Sequence, residues 1–140
     1  MVLAVPRSHR LAMDARRKSV ALAALADESF IFNRRPTGPG LYDAIIAACN
    51  AAGFSPRVEQ ETHKNLAALS LVAAGLGVSV VPASMRHVVL DDVRYLRLSG
   101  AGKLSAPLYQ AVRDEEQSAA VLQMMQQTRL CMDGKTFADG

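Results

Sequence analysis

Residues 62–82, THKNLAALSLVAAGLGVSVVP, constrain this chain more than any other stretch. They open on a polar turn, continue as an apolar run to Gly75, turn at Gly77, and close as a short strand stopped by Pro82. Leu66, Leu69 and Ala73 recur at helical spacing, so residues 65–74 are expected to form a helix with Gly75 as its stop. The VSVV run at 78–81 has the β-branched bias of a buried parallel strand. A helix that returns through a glycine turn into a buried strand is half of a βαβ unit, and its neighbours must complete a sheet around it.

The neighbours alternate as that requirement demands. Residues 2–6 (VLAVP) read as an apolar strand that starts almost at the first residue, as if the chain began inside a larger architecture. A basic connector, RSHRLAMDARRK at 7–18, leads to Ser19, which can cap a short helix over 20–26. Residues 30–33 (FIFN) form a strand, and RRPTGPG at 34–40 is a loop. Leu41, Ile45, Ala48 and Ala52 place an amphipathic helix at 41–52, ended by Gly53. RVEQET at 57–62 is the next strand. After Pro82 come one helical turn at 83–85, a half-exposed strand at 93–98, a turn at 99–103 and an apolar strand at 108–112. The longest helix, at 115–132, carries Val121, Met124, Met125, Thr128 and Met132 along one side. The expected fold class is α/β, a three-layer α/β/α domain with a mainly parallel central sheet. Residues 1–132 form one unit, and 133–140 a tail.

At 140 residues, half of them hydrophobic, the chain can bury a core. With aromatics at 5% and no tryptophan, that core must be built from aliphatic side chains. A net charge of +3 is too mild to imply nucleic-acid or membrane binding without a local patch. Seven of the sixteen Lys and Arg fall in the first 35 positions, but no aromatics interleave with them for base stacking. They read as a solvated connector. Cys49 and Cys131 lie far apart with no metal-ligand spacing, which suits reduced thiols in a cytoplasmic protein. No signal peptide is visible, and no apolar run approaches the roughly 20 residues that span a bilayer.

Parallel connections place the loops after successive strands on one edge of the sheet, where open α/β sheets bind ligands. Three segments converge there: 33–40, 62–65 and the turn at Pro82. The first two sit at helix N-termini, whose free N–H groups and dipole attract an anion. Arg34, Arg35 and Lys64 add positive charge. The expected ligand is a small anion, such as a carboxylate. Catalysis finds no support. His9, His63 and His87 are dispersed, Glu59 and Glu61 share a strand, and Ser70 and Ser79 lack a recognisable His and acid pattern. There is no GxSxG, P-loop or GxGxxG after a strand. No catalytic residue, metal or cofactor is assigned.

LVAAGLGVSVVP at 71–82 closely resembles the most recognisable stretch of the effector-binding domain of LysR-type transcriptional regulators. The family's order of phrases recurs upstream: Pro6, then His9-Arg10-Leu11-Ala12, Leu25-Ala26-Asp27-Glu28 and Phe30-Ile31, and later Gly53, Phe54, Pro56, Val58 and Glu59. The resemblance covers roughly residues 2–130. It implies a periplasmic-binding-protein-like (type II) architecture of two α/β subdomains joined by crossover strands, with effector in the cleft between them. The chain is similar to the second subdomain. Residues 2–6 and 108–112 match the crossover strands, and the last helix matches the one that packs on the first subdomain. The winged helix-turn-helix and most of the first subdomain have no counterpart, so direct DNA binding is not expected. By the same resemblance the effector contacts transfer to Asn33, Arg34, Thr37, Gly38, Thr62, His63, Val81 and Pro82.

Two further readings remain at this level. The chain could be an interaction module that forms a homo-oligomer through its terminal strands and C-terminal helix, burying unpaired edges and Val121, Met124, Met125 and Met132. One lobe of a solute-binding protein is the other, weakened by the missing export signal.

Overall fold

The computed structural model describes residues 1–35, 39–102, 104–105, 111–113 and 118–134. The chain forms two compact units, Met1–Pro107 and Leu108–Gly140. Among its described residues the first holds six strands, β1 (Val2–Pro6), β2 (Ser19–Ala21), β3 (Ser29–Asn33), β4 (Arg57–Thr62), β5 (Ser79–Val81) and β6 (Val93–Ser99). Its two helices are α1 (Pro39–Ala51) and α2 (Asn65–Ala73), with 3-10 turns at Leu22–Leu25 and Ala83–His87. In the second unit α3 spans Ala119–Gly134.

Strand β1 lies between β5 and β6 and runs antiparallel to both, with Leu3 opposite Val80 and Leu96. Strand β2 joins the far side of β6 in parallel. Strands β3 and β4 pair in parallel, and a bridge between Phe30 and Val78 ties them to the approach to β5. Two backbone bonds make that tie, Ile31 N–H to the Val78 carbonyl at 2.8 Å and Val78 N–H to the Ser29 carbonyl at 2.9 Å. Among the described strands β1 alone is reversed; the other five share one direction. The sheet is mainly parallel, as expected.

Alternation along the strands divides the core into two halves. Leu3, Val5, Phe30, Phe32, Val78 and Val80 face one side, where they meet Ile45 and Cys49 of α1 with Leu22 and Leu25. Val2, Ala4, Ile31 and Val81 face the other, against Ala68, Leu69 and Val72 of α2. Helices on both faces of this four-stranded sheet and the two-stranded sheet bridged to it give the three-layer α/β/α architecture. Aromatic contacts knit the α1 side: Phe30 stacks on Phe54 with centroids 6.2 Å apart and meets Phe32 edge-on at 5.7 Å.

The organising stretch folds as its pattern requires. Helix α2 ends in a Schellman motif, with Leu76 N–H bonded to the Leu71 carbonyl (3.1 Å) and Gly75 N–H to that of Val72 (2.9 Å); Gly75 takes φ +79°. Gly77 then brings the backbone so close to β3 that an added Cβ would sit 2.5 Å from the Ser29 carbonyl oxygen.

Several expectations need correction. The helix expected over 20–26 is strand β2 followed by a 3-10 turn. Val20 alone of β2 is buried, and β6 offers the row of backbone groups that converts a helix-prone alanine tract into an edge strand. The first strand leaves no unpaired edge for self-association, because β5 and β6 occupy both sides of β1. Most of the strand expected at 108–112 lies outside the described residues. The basic connector is not a free loop. The Arg94 guanidinium of β6 donates to the carbonyls of Ala12, Asp14 (2.8 Å), Ala15 (3.0 Å) and Arg17 (2.7 Å).

Candidate functional site

The carboxyl ends of β3 and β4 lie side by side, with Asn33 opposite Thr62 in the ladder. Their side chains continue the pairing. Thr62 Oγ1 donates to Asn33 Oδ1 at 3.1 Å, and Asn33 Nδ2 donates to Asn65 Oδ1 at 2.5 Å. Thr62 is 7% exposed, and its hydroxyl also lies 3.3 Å from the Lys64 carbonyl. The backbone repeats the link where Arg34 N–H meets the Thr62 carbonyl at 2.7 Å. Two loops distant in sequence are thereby locked together at the N-terminus of α2.

That N-terminus has an unusual charge. Its N-cap residue is Lys64, no side chain caps it, and no acidic residue stands in its first turn. A helix start carries about half a positive elementary charge and free N–H groups, so Asp, Ser or Thr normally stand there. Here Lys64 is joined by Arg34, whose Nη1 lies 3.4 Å from His63 Nε2. A cation such as Lys64 at the positive end of a helix is unfavourable unless an anion comes to meet it.

A shallow pocket opens on the α1 side of the sheet. Phe32 and Asn33 of β3 form one wall, Leu41, Tyr42 and Ile45 of α1 another, and Ser79 and Val80 of β5 the floor. It measures about 250 Å3 including the open space at its mouth. Tyr42 stands edge-on to Phe32, with ring centroids 5.3 Å apart. The Ser79 hydroxyl is buried and donates to the Ile31 carbonyl at 2.7 Å.

Of the residues expected at the site, Asn33, Arg34, Thr62 and His63 come together through these bonds. Thr37 and Gly38 lie outside the described residues. Val81 is buried in the α2-side core opposite Val2, and Pro82 is half-buried at the start of the 3-10 turn Ala83–His87. Arg35, counted in sequence as part of the positive charge, turns to α1. Its Nε and Nη2 grip Asp43 at 2.8 and 3.1 Å. That hydrogen bond raises the Arg35 pKa and holds the Asp43 carboxyl below the usual carboxylate range. Sequence reasoning missed the pocket wall of Leu41, Tyr42 and Ile45, which it read only as a helix face. A tyrosine in the first turn after a Pro- and Gly-rich loop was the signal available. Among the described residues, no three His, Cys, Asp or Glu side chains gather to hold a metal. No described helix is long and apolar enough to cross a membrane.

Residues 1–130 match the family model of the LysR substrate binding domain. The uncharacterized HTH-type transcriptional regulator YnfL of Escherichia coli is 34% identical over 116 residues, covering 83% of this chain and 38% of YnfL. The HTH-type transcriptional regulator BenM of Acinetobacter baylyi is 30% identical over 129 residues, or 92% of this chain and 42% of BenM. Among solved structures, the BenM effector binding domain with its effector benzoate superposes with a TM-score of 0.78 at 28% identity. That likeness covers 99% of this chain and 62% of the BenM domain. The chain thus spans about two fifths of the length of these full regulators.

Proposed function

Since the chain belongs to the LysR substrate-binding domain family and is an effector-binding domain of a LysR-type regulator, we propose that it senses a small carboxylate at the N-terminus of α2. The single observation that carries this reading is the acid-free, uncapped start of α2, with Lys64 as N-cap beside His63 and Arg34. The bonded trio of Asn33, Thr62 and Asn65 holds that start rigidly at the carboxyl ends of parallel strands. A carboxylate there accepts from the first N–H groups of α2 while Lys64 balances its charge, and exposed His63 and Lys64 stand at the approach. The relatives' role as transcriptional regulators favours a sensor over an enzyme. The proposed contacts are Asn33, Arg34, Thr62 and His63, with Thr37, Gly38, Val81 and Pro82 carried over from the sequence resemblance.

Thermal unfolding measured with a panel of carboxylates tests the reading. At least one is expected to raise the midpoint, and Lys64→Glu to abolish the rise without lowering the midpoint of the free protein by more than a few degrees. A panel that leaves the midpoint unmoved sinks the proposal.

A second reading has its own support. Leu122, Met124 and Leu130 of α3 are 48%, 70% and 57% exposed, an apolar load that favours self-association of this chain.

A further inference from the structure

We infer that the open edge of β2, with the basic run just before it, receives an extended acidic segment of a partner protein. Strand β2 ends its sheet, with β6 on one side and, among the described strands, nothing on the other. Arg97 N–H donates to the Lys18 carbonyl at 2.9 Å, with Ser19 opposite Arg97 and Ala21 opposite Ser99. In a parallel ladder alternate residues turn their backbone groups to the partner, so those of Lys18 and Val20 face β6. The N–H groups of Ser19 and Ala21 and the Ser19 carbonyl therefore face away from it.

Nothing in β2 itself closes that edge. Its register with β6 is regular, it holds no proline, and exposed Ser19 and Ala21 are small. So short a strand offers few backbone bonds, and the side chains beside it must decide what binds. Arg16, Arg17 and Lys18 lie immediately before it, the one run of three consecutive basic residues in the sequence. Arg16 and Lys18 are exposed and Arg17 is half-buried. Among the described residues none of the three side chains has an acidic or hydrogen-bonded partner. Asp14, the acid of the same connector, turns its Oδ1 to the Arg16 N–H at 2.9 Å.

The backbone that carries these cations is fixed. Arg94 holds the carbonyls of Ala12, Asp14, Ala15 and Arg17, and Leu11 and Ala12 are buried. A partner that binds here therefore orders side chains only, and the cost of ordering a loop is already met. A chain that pairs with Ser19 and Ala21 and continues past Lys18 runs its side chains along the basic run. Carboxylates there gain charge-assisted bonds, and uncharged side chains do not. Bases of a nucleic acid would find no aromatic platform in the connector, and a phosphate backbone leaves the outward N–H and carbonyl row of β2 largely unused. The edge and the charge together fit an acidic peptide.

The experiment is a fluorescence anisotropy titration of the full chain with a labelled peptide of alternating Thr and Val flanked at both ends by Glu. A counterpart with Gln for every Glu and a labelled DNA duplex are the comparisons. The Glu peptide is expected to bind about tenfold or more tightly than the Gln peptide at low salt, with the gap closing as salt rises. It should also slow hydrogen exchange at the Ser19 and Ala21 amides. Arg16→Glu with Lys18→Glu should abolish the preference for Glu. Ser19→Pro, which removes an N–H that β6 does not use, should weaken both peptides. If Ser19→Pro does not fold, exchange at Ser19 and Ala21 in the unaltered chain decides the same point. Equal binding of the two peptides, binding of neither, or binding without protection at Ser19 and Ala21 overturns the inference. So does a DNA duplex that binds more tightly than the Glu peptide and is lost in the charge-reversed variant.

Discussion

At Gly77 a φ of +152° and a Cβ position 2.5 Å from the Ser29 carbonyl oxygen leave no room for a side chain. The obstacle is backbone, which cannot swing aside as a flexible side chain would. Gly77→Ala is therefore expected to cost about 2 kcal/mol or more, read as a lower urea midpoint. Cys49 is a residue of the opposite kind, buried without any polar duty. Burial pushes its thiol pKa from 9.0 up to about 11. Folding thus favours the neutral thiol, so the stability it contributes is intact below pH 9 and is lost as pH rises through about 11. Unfolding midpoints should decline over that window, and Cys49→Ala should make the decline shallower. A thiol reagent at neutral pH should label exposed Cys131 well before Cys49. Neither behaviour was legible in the sequence. Gly77 looked like a turn glycine, and its true constraint comes from a strand 48 residues earlier.

Elements read from sequence succeeded where their pattern was local. Helix α2 and strand β4 fall within a residue of expectation, because helical spacing and a following left-handed glycine are properties of the segment itself. Strand β2 was misread because Ala-rich SVALAAL has helix propensity, and only β6, about 75 residues later, makes it a strand. Arg94 shows the same distance dependence. One guanidinium of β6 binds four carbonyls of the 12–17 segment, a task that needs a planar fork of donors. Arg94→Lys is expected to lose most of that network, at about 2 kcal/mol, and to expose the 12–17 amides to hydrogen exchange. Retention of native protection in Arg94→Lys would show that the connector is held by something else. Buried Leu11 and Ala12, in the α1-side core, are the contacts that would then carry it.

For the whole molecule, the main open property is association. The first unit satisfies β1 on both edges, and exposed Leu122, Met124 and Leu130 of α3 are the surface proposed to meet a second copy. Light scattering is expected to give a mass that rises with concentration, and Leu122→Gln with Met124→Gln to return it to the monomer value. A monomer at every concentration would remove the self-association reading. Strand β4 is a poorer candidate. Among the described strands it pairs with β3 alone, and opposite Phe30 and Ile31 its register slips past Glu59, a bulge that blunts an edge.

By itself the sequence determined the α/β class, the positions of both helices flanking β4, and the meeting of the loops after β3 and β4. These follow from periodicity and from the rule that parallel connections return to one edge, and both can be counted along a chain. Residues 62–82 carried most of that information. Tertiary structure alone decided that β1 runs against its neighbours, that β2 is a strand, and that Tyr42 and Ser79 border the same pocket as Asn33. It also turned Arg35 away to Asp43 and left Arg34 beside His63. Each of these is set by a partner far away in the chain, through a hydrogen bond or a packing contact that neither segment encodes without the other.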